Sequence, residues 1–156
     1  MEDKRVSDSF TTSVYLLRPE NLNGYGRLFG GELVRWIDMI AGVAARRHCG
    51  HEITTACIDN IVFEAPAFVN DTMVLEACVT YVGKTSMEVR VDTYVEHLDG
   101  TRTRANRAYS VMVALDENQK PTPVPGLILE TQEQKDEWKA AEMRKKIRAN
   151  RKQHEI

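Results

Sequence analysis

Asp38 is a single carboxylate set in an apolar stretch, and seven positions before it stands a glycine pair, Gly30 and Gly31. These residue types can make a site for proton transfer or acyl transfer. A carboxylate can take a proton or attack a carbonyl, and the unpaired N–H groups of a helix start can hold developing negative charge. The run Asn23 to Gly50, NGYGRLFGGELVRWIDMIAGVAARRHCG, carries both. Gly24, Gly26, Gly30 and Gly31 let backbone approach a ligand closely. Asn23 offers an amide with donors and an acceptor, suited to a substrate oxygen, to orienting a water, or to closing a turn. Asp38, among apolar neighbours, is either paired with an arginine or a backbone amide, or kept for chemistry.

The element that must position these groups is a helix. Leu33, Val34, Trp36, Ile37, Met39, Ile40, Val43 and Ala44 cover most of its circumference, which predicts a helix enclosed by protein. Arg46, Arg47 and His48 place cations at its negative pole and Gly50 stops it, so His48 reads as a helix-end residue. Strands surround it in the pattern. Thr11 to Leu17 is a short β-type run, and Ile53 to Phe63 suits a strand buried on one face. Met73 to Tyr81 alternates, and Gly83-Lys84 breaks it. Met87, Val89, Val91 and Val95 alternate with Glu88, Arg90, Asp92 and Glu96, so one face of that strand should meet water or a partner. Asp99-Gly100 turns into a strand from Arg102 to Leu115. The sum is α+β: an antiparallel sheet wrapped around one long central helix.

The two ends read differently. Residues 1 to 9 are polar and expected to be loosely ordered. After Pro121, Pro123 and Pro125, Glu130 to Gln153 has helical propensity and charge throughout, which predicts a solvated helix lying across the domain or a neighbour.

At 156 residues and 17.7 kDa the chain is long enough for one domain with a real core. Its net charge of -2 gives no reason to expect nucleic acid as a partner. No apolar run suggests a signal peptide or membrane span, so a cytoplasmic protein is expected. Cys49, Cys57 and Cys78 lack metal-ligand spacing and are expected as reduced thiols; neither a metal site nor a nucleophilic triad is expected.

Asn23-x-x-Gly26-x-x-Phe29-Gly30-Gly31, then Trp36-x-Asp38 and Ala44-Ala45-Arg46-Arg47-His48, resembles the signature of the hotdog-fold acyl-CoA thioesterases, in particular the short bacterial cytoplasmic acyl-CoA hydrolases. The likeness continues through Asp59-x-Ile61-x-Phe63-x-x-Pro66, Val82-Gly83-Lys84-Thr85-Ser86-Met87, Val113-Ala114-Leu115-Asp116 and Pro123-Val124-Pro125. It implies a hotdog domain over residues 10–126 with a charged helical extension over 127–156.

The resemblance further implies hydrolysis of acyl-CoA to fatty acid and CoA, with no cofactor beyond the coenzyme carried by the substrate. Gly31 and Asn23 would hold the oxyanion, with Asp38 as general base or as nucleophile forming an anhydride. Gly30, Asp59, Phe63 and the Gly83-Lys84-Thr85-Ser86 turn would lie along the substrate, Asp59 in a supporting role. The cations Arg144, Lys145, Lys146, Arg148, Arg151 and Lys152 are a candidate meeting place for the coenzyme's phosphates. Residues Gly83 to Ser86 are equally readable as a plain hairpin turn. Related enzymes of the fold suggest two alternatives. A hydroxyacyl thioester dehydratase would want a His in the loop where Asn23 stands, and a non-catalytic acyl-CoA sensor would have no need of Asp38.

Helix geometry bears on assembly. Gly31 and Asp38 lie about 10 Å apart along one helix axis at about 1.5 Å per residue, whereas reacting atoms must come within about 3.5 Å. A carbonyl held at Gly31 is therefore better met by the Asp38 of a second copy. The expectation is at least a dimer, with a trimer of dimers implied by the resemblance, and neither nucleic acid nor membrane as partner.

Overall fold

The computed structural model describes residues 1–59 and 61–155. The chain opens with strand β1 (Lys4–Arg5), helix α1 (Val6–Ser9) and strand β2 (Thr11–Leu16), followed by a 3-10 turn at Pro19–Asn21. Then come helix α2 (Gly30–Cys49), strands β3 (Glu52–Asp59), β4 (Thr72–Val82), β5 (Ser86–Glu96), β6 (Arg102–Leu115) and β7 (Leu127–Ile128), and helix α3 (Gln132–His154).

Five strands form one antiparallel sheet in the order β2-β4-β5-β6-β3. Its inner face wraps α2. Leu33, Trp36, Ile37, Ile40, Ala41 and Ala44 of the helix are buried with Leu75, Val79, Val89 and Met112 of the strands, and Tyr15 of β2 stacks on Trp36 with centroids 4.2 Å apart. The small residues along the helix let the sheet close on it. At the far end Gly50 takes φ 68° and donates its N–H to the Arg46 carbonyl, the left-handed stop that glycine permits.

Two expectations change here. The first residues are held in place: β1 pairs with β7, and the Ser9 hydroxyl, fully buried, accepts a hydrogen bond from the Val79 N–H at 2.9 Å. Part of the outer face of β5 is covered by α3 of the same chain. Glu88, only 2% exposed, is held by Arg144 at 2.8 Å, and Arg90 reaches Glu137 of α3 at 3.0 Å. The period-two alternation of β5 reports two different environments correctly, while its polar side is buried by ion pairing.

Helix α2 also departs from the enclosed rod its sequence suggests. Met39 is 56% and Val43 40% exposed, on the side of the helix that the sheet of this chain leaves uncovered.

Candidate active site

Asp38 is half-buried on α2 at the edge of that open side. Its Oδ1 accepts a hydrogen bond from the Thr55 hydroxyl of β3 at 2.6 Å. No arginine neutralises it: among the described residues, Arg35 pairs with Glu32 and Arg46 with Glu52. A short bond from a hydroxyl fixes the carboxylate plane and leaves Oδ2 free to accept a proton from a water or another donor. The pair sits in a cavity of about 520 Å³, with Tyr15, Ile40, Val43 and Ile53 among its lining residues.

Thr55 was not singled out by sequence. Two adjacent threonines, Thr54 and Thr55, stand on an edge strand, and period two assigns one of them to the helix side without saying which. The register shift between Thr55 and Cys57 then reverses the facing of everything downstream. Thr55 lies over Met112 on the inner face, whereas Asp59 lies beside Tyr109 on the outer one.

That reversal bears on Asp59, expected beside the site. Its carboxylate accepts a hydrogen bond from Arg151 of α3 at 2.8 Å and lies 3.9 Å from Arg148. Its partners are on α3, on the sheet face opposite Asp38, where it anchors the C-terminal helix. The basic cluster of α3 is correspondingly reduced, since Arg144, Arg148 and Arg151 are engaged with Glu88, Glu137 and Asp59.

The glycine loop forms a second, separate cavity of about 300 Å³, lined by Asn23, Arg27, Gly30, Phe63 and Pro66 among others. The Asn23 Oδ1 accepts from the N–H groups of Tyr25 and Arg27 at 2.8 and 3.2 Å, which makes Asn23 the turn residue its type allows. Its amide nitrogen is not used in that turn. Helix α2 begins at Gly30 with no side-chain cap, so the Gly30 and Gly31 N–H groups keep no capping partner. The Phe63 ring lies against Gly30, 3.6 Å from where a Cβ would stand. A Cβ on Gly31 would come within 2.7 Å of the Phe29 ring, so glycine here lets that ring fold across the helix start.

Residues Gly83 to Ser86 form a tight β4–β5 turn closed by Gly83 N–H to the Ser86 carbonyl at 2.9 Å. None of its four residues lines either cavity. His48 is buried with its Nε2 2.8 Å from the Pro125 carbonyl, and burial lowers its pKa from the ordinary value. It is a structural helix-end residue. Cys78 is driven up by burial, so it stays a thiol. Among the described residues no cluster suits a metal ion, and no helix is long and apolar enough to cross a membrane.

One protomer thus holds two half-sites: helix-start amides with Asn23 in one cavity, and Asp38 with Thr55 in another. Comparison with known proteins matches residues 25–100 to the thioesterase superfamily. The uncharacterized acyl-CoA thioester hydrolase YkhA of Bacillus subtilis is 43% identical over 137 residues, 87% of this chain and 80% of that protein. Among solved structures, an apo-hexameric acyl-CoA thioesterase superposes with a TM-score of 0.92 at 38% identity, covering 97% of each chain. An acyl-CoA hydrolase of Staphylococcus aureus, solved with butyryl-CoA, CoA and CoA disulfide, superposes with a TM-score of 0.92 at 31% identity over 97% of this chain and 93% of that one. The same hydrolase has also been solved with an asparagine, an aspartate or a threonine replaced by alanine.

Proposed function

Given that the chain belongs to the acyl-CoA thioester hydrolases of the thioesterase superfamily, we infer that it hydrolyses acyl-CoA to a free acid and CoA at a site assembled from two protomers. One contributes Asn23, Gly30 and Gly31, and its partner contributes Asp38 and Thr55. The observation that carries this is the Thr55–Asp38 hydrogen bond at 2.6 Å, on a carboxylate that no arginine neutralises, in a cavity separate from the helix-start amides.

The chemistry follows from the two halves. The thioester carbonyl lies against the Gly31 N–H at the positive end of α2, with the Asn23 amide nitrogen as a second donor. Both strengthen their hold as the oxygen becomes negative. Asp38 of the partner takes a proton from water through Oδ2 while Thr55 keeps the carboxylate oriented. The water oxygen bonds to the carbonyl carbon, and collapse of the tetrahedral intermediate expels the CoA thiolate. Asparagine, aspartate and threonine are also the residue types exchanged in the Staphylococcus aureus hydrolase, which supports the assignment.

A second copy fits the open side of α2. Met39 and Val43 would be covered there, and the free edge of β3, with Thr54, Thr55 and Ala56 exposed, offers a strand for pairing. Exposed Val14 and Leu16 on the opposite edge strand, β2, supply a further apolar contact for a hexamer, the state printed for one structural neighbour. The turn Gly83 to Ser86 is assigned to the coenzyme end of the substrate, where Lys84 and the two hydroxyls suit phosphate. Lys84→Ala then raises KM for acyl-CoA more than it lowers kcat.

The test is thiol release from a panel of acyl-CoAs, short to long, by the wild type and by Asp38→Ala, with folding of both verified. Turnover by the wild type, and loss of chemistry with binding retained in the variant, is the expected result. A wild type that binds acyl-CoA and hydrolyses none would favour a sensor, and full activity in the variant would overturn the site.

A further inference from the structure

Strand β6 changes character at Ala105. Thr93 of β5 is in register with Asn106 and Tyr94 with Arg104, so Ala105 is an extra residue on β6. Such a bulge leaves one residue outside the ladder and re-aims its neighbours. Ala105 and Asn106 are accordingly buried in succession, where a regular strand would turn one of them outward. Arg107 then points to the outer face again, where it holds Asp92 at 2.6 Å.

The bulge presents three consecutive residues to the chain segment that follows β3. The Asn106 Nδ2 donates to the Val62 carbonyl at 2.8 Å, the Ala105 carbonyl accepts from the Glu64 N–H at 2.8 Å, and Arg104 lies 3.4 Å from the Glu64 carboxylate. The Arg104 pair is solvated and adds little, whereas Asn106 has no exposed surface. Between the two anchored residues stands Phe63, whose ring lies 3.6 Å from where a Cβ on Gly30 would be. The far end of the segment is tied to the glycine loop, since the Leu28 N–H donates to the Ala67 carbonyl at 2.9 Å. Val62 is 62% exposed and Phe63 47%, so little packing fixes this stretch. Its position follows from the bonds to β6.

Asn106 is a costly choice for a core position. Its Oδ1 and the Oγ1 of its cross-strand neighbour Thr93 are buried with no hydrogen-bond partner among the described residues. An unpaired buried oxygen destabilises a fold where an apolar side chain of the same size would not. What the amide supplies is the bond to Val62. We propose that Asn106 is a positioning residue for the reaction: by holding the Val62 carbonyl it sets the Phe63 ring against Gly30, beside the helix-start N–H groups that receive the thioester carbonyl. A ring fixed there keeps water from one side of those groups, so their hold on the developing oxyanion is less screened. The proposal rests on the thioesterase activity inferred above.

The experiment is a double-mutant cycle on the full chain, with Asn106→Leu, Phe63→Ala and the two combined. Asn106→Ala is made alongside, in case the core does not accept leucine. Thr93→Val is the control: it removes the neighbouring buried oxygen and leaves the Val62 bond alone. Thermal unfolding verifies that each variant folds, kcat and KM are measured with an acyl-CoA that the wild type turns over, and amide hydrogen exchange is followed over residues 61–67. Asn106→Leu is expected to lower kcat about tenfold with KM unchanged, and to speed exchange over 61–67. Phe63→Ala should lower kcat by a similar factor. The double variant should be no slower than the slower single one, because the two residues act through one contact. Thr93→Val should leave kcat as it is.

Losses that multiply to about a hundredfold in the double variant overturn the proposal, since Asn106 then acts independently of Phe63. So does an unchanged kcat in the Asn106 variants, or an equal loss from Thr93→Val, which marks a general disturbance of the core. A wild type that releases no thiol removes the hydrolase inference, and the exchange comparison then decides. Faster exchange over 61–67 in Asn106→Leu supports the positioning of Phe63, and unaltered exchange overturns it.

Discussion

The two faces of the five-stranded sheet treat carboxylates in opposite ways. On the outer face, Glu88 receives Arg144 at 2.8 Å, Arg148 at 3.5 Å and the Thr80 hydroxyl at 2.8 Å, while Asp92 is gripped by Arg107 at 2.6 Å and Glu137 by Arg144 at 2.6 Å. Arg144 also lies over the Tyr109 ring at 3.6 Å. On the inner side, Asp38 has a single hydroxyl partner and no cation. A buried carboxylate surrounded by guanidinium groups is committed to structure, because moving a proton onto it would strand the cations. A carboxylate oriented by one neutral donor keeps a free oxygen that a reaction can use. The outer face secures α3, while the side of α2 that carries Met39 and Val43 stays open.

The most severe way to break this contrast is Asp38→Asn, which keeps shape and removes the base. The expected loss in kcat is about a thousandfold, with thermal stability within about 0.5 kcal/mol of wild type because the residue lies at an open edge. Unfolding curves and single-turnover kinetics check both parts together.

Next in size is Arg144→Met, which takes from the buried Glu88 the nearer of its two arginines and leaves Arg148 at 3.5 Å. Denaturant unfolding should show a loss of about 3 kcal/mol, while the folded fraction keeps its kcat. Adding Glu88→Met to that variant should recover much of the stability, since it removes the buried carboxylate left short of its main partner.

Thr55→Val sharpens the comparison from the other side. It deletes the one hydrogen bond on Asp38 and should lower kcat roughly tenfold to a hundredfold with little effect on KM, because the hydroxyl orients the base. An unchanged kcat would show that Asp38 needs no orientation by Thr55.

The smallest effect is in the pH dependence of stability. Burial, against the opposing hydrogen bond to Pro125, lowers the pKa of His48 below its ordinary 6.5. The unfolded chain thus binds a proton there more readily than the folded one, so this contribution is present above about 6.5 and is lost as pH falls through the folded value. On Glu137, burial pushes the carboxyl up, but Arg144 with Tyr109 and Arg90 outweighs it and holds the group below the ordinary carboxylate range. Its stabilisation is likewise present above the ordinary value of 4.5 and lost in stronger acid. Chemical denaturation between neutral and mildly acidic pH should show the His48 step first, and His48→Asn should flatten it.

Much of this was legible in the residues themselves. The glycine run, the helix from Leu33, its stop at Gly50, the strand Arg102–Leu115 and the C-terminal helix are local features, set by backbone freedom, period and capping. Asp38 stood out because a carboxylate is costly in an apolar helix, and Gly30 and Gly31 because they stand where the helix begins, whereas Asn23 was marked by the family resemblance. What the sequence could not determine lies at distances of many residues. A one-residue register shift after Thr55 turned that threonine toward Asp38 and sent Asp59 to α3. The pairing of Glu88 with Arg144, 56 positions apart, buried a strand face that reads as exposed. Period and propensity follow from neighbours along the chain, whereas facing, burial and the neutralisation of charge follow from which strands and helices meet, and only the tertiary structure decides that.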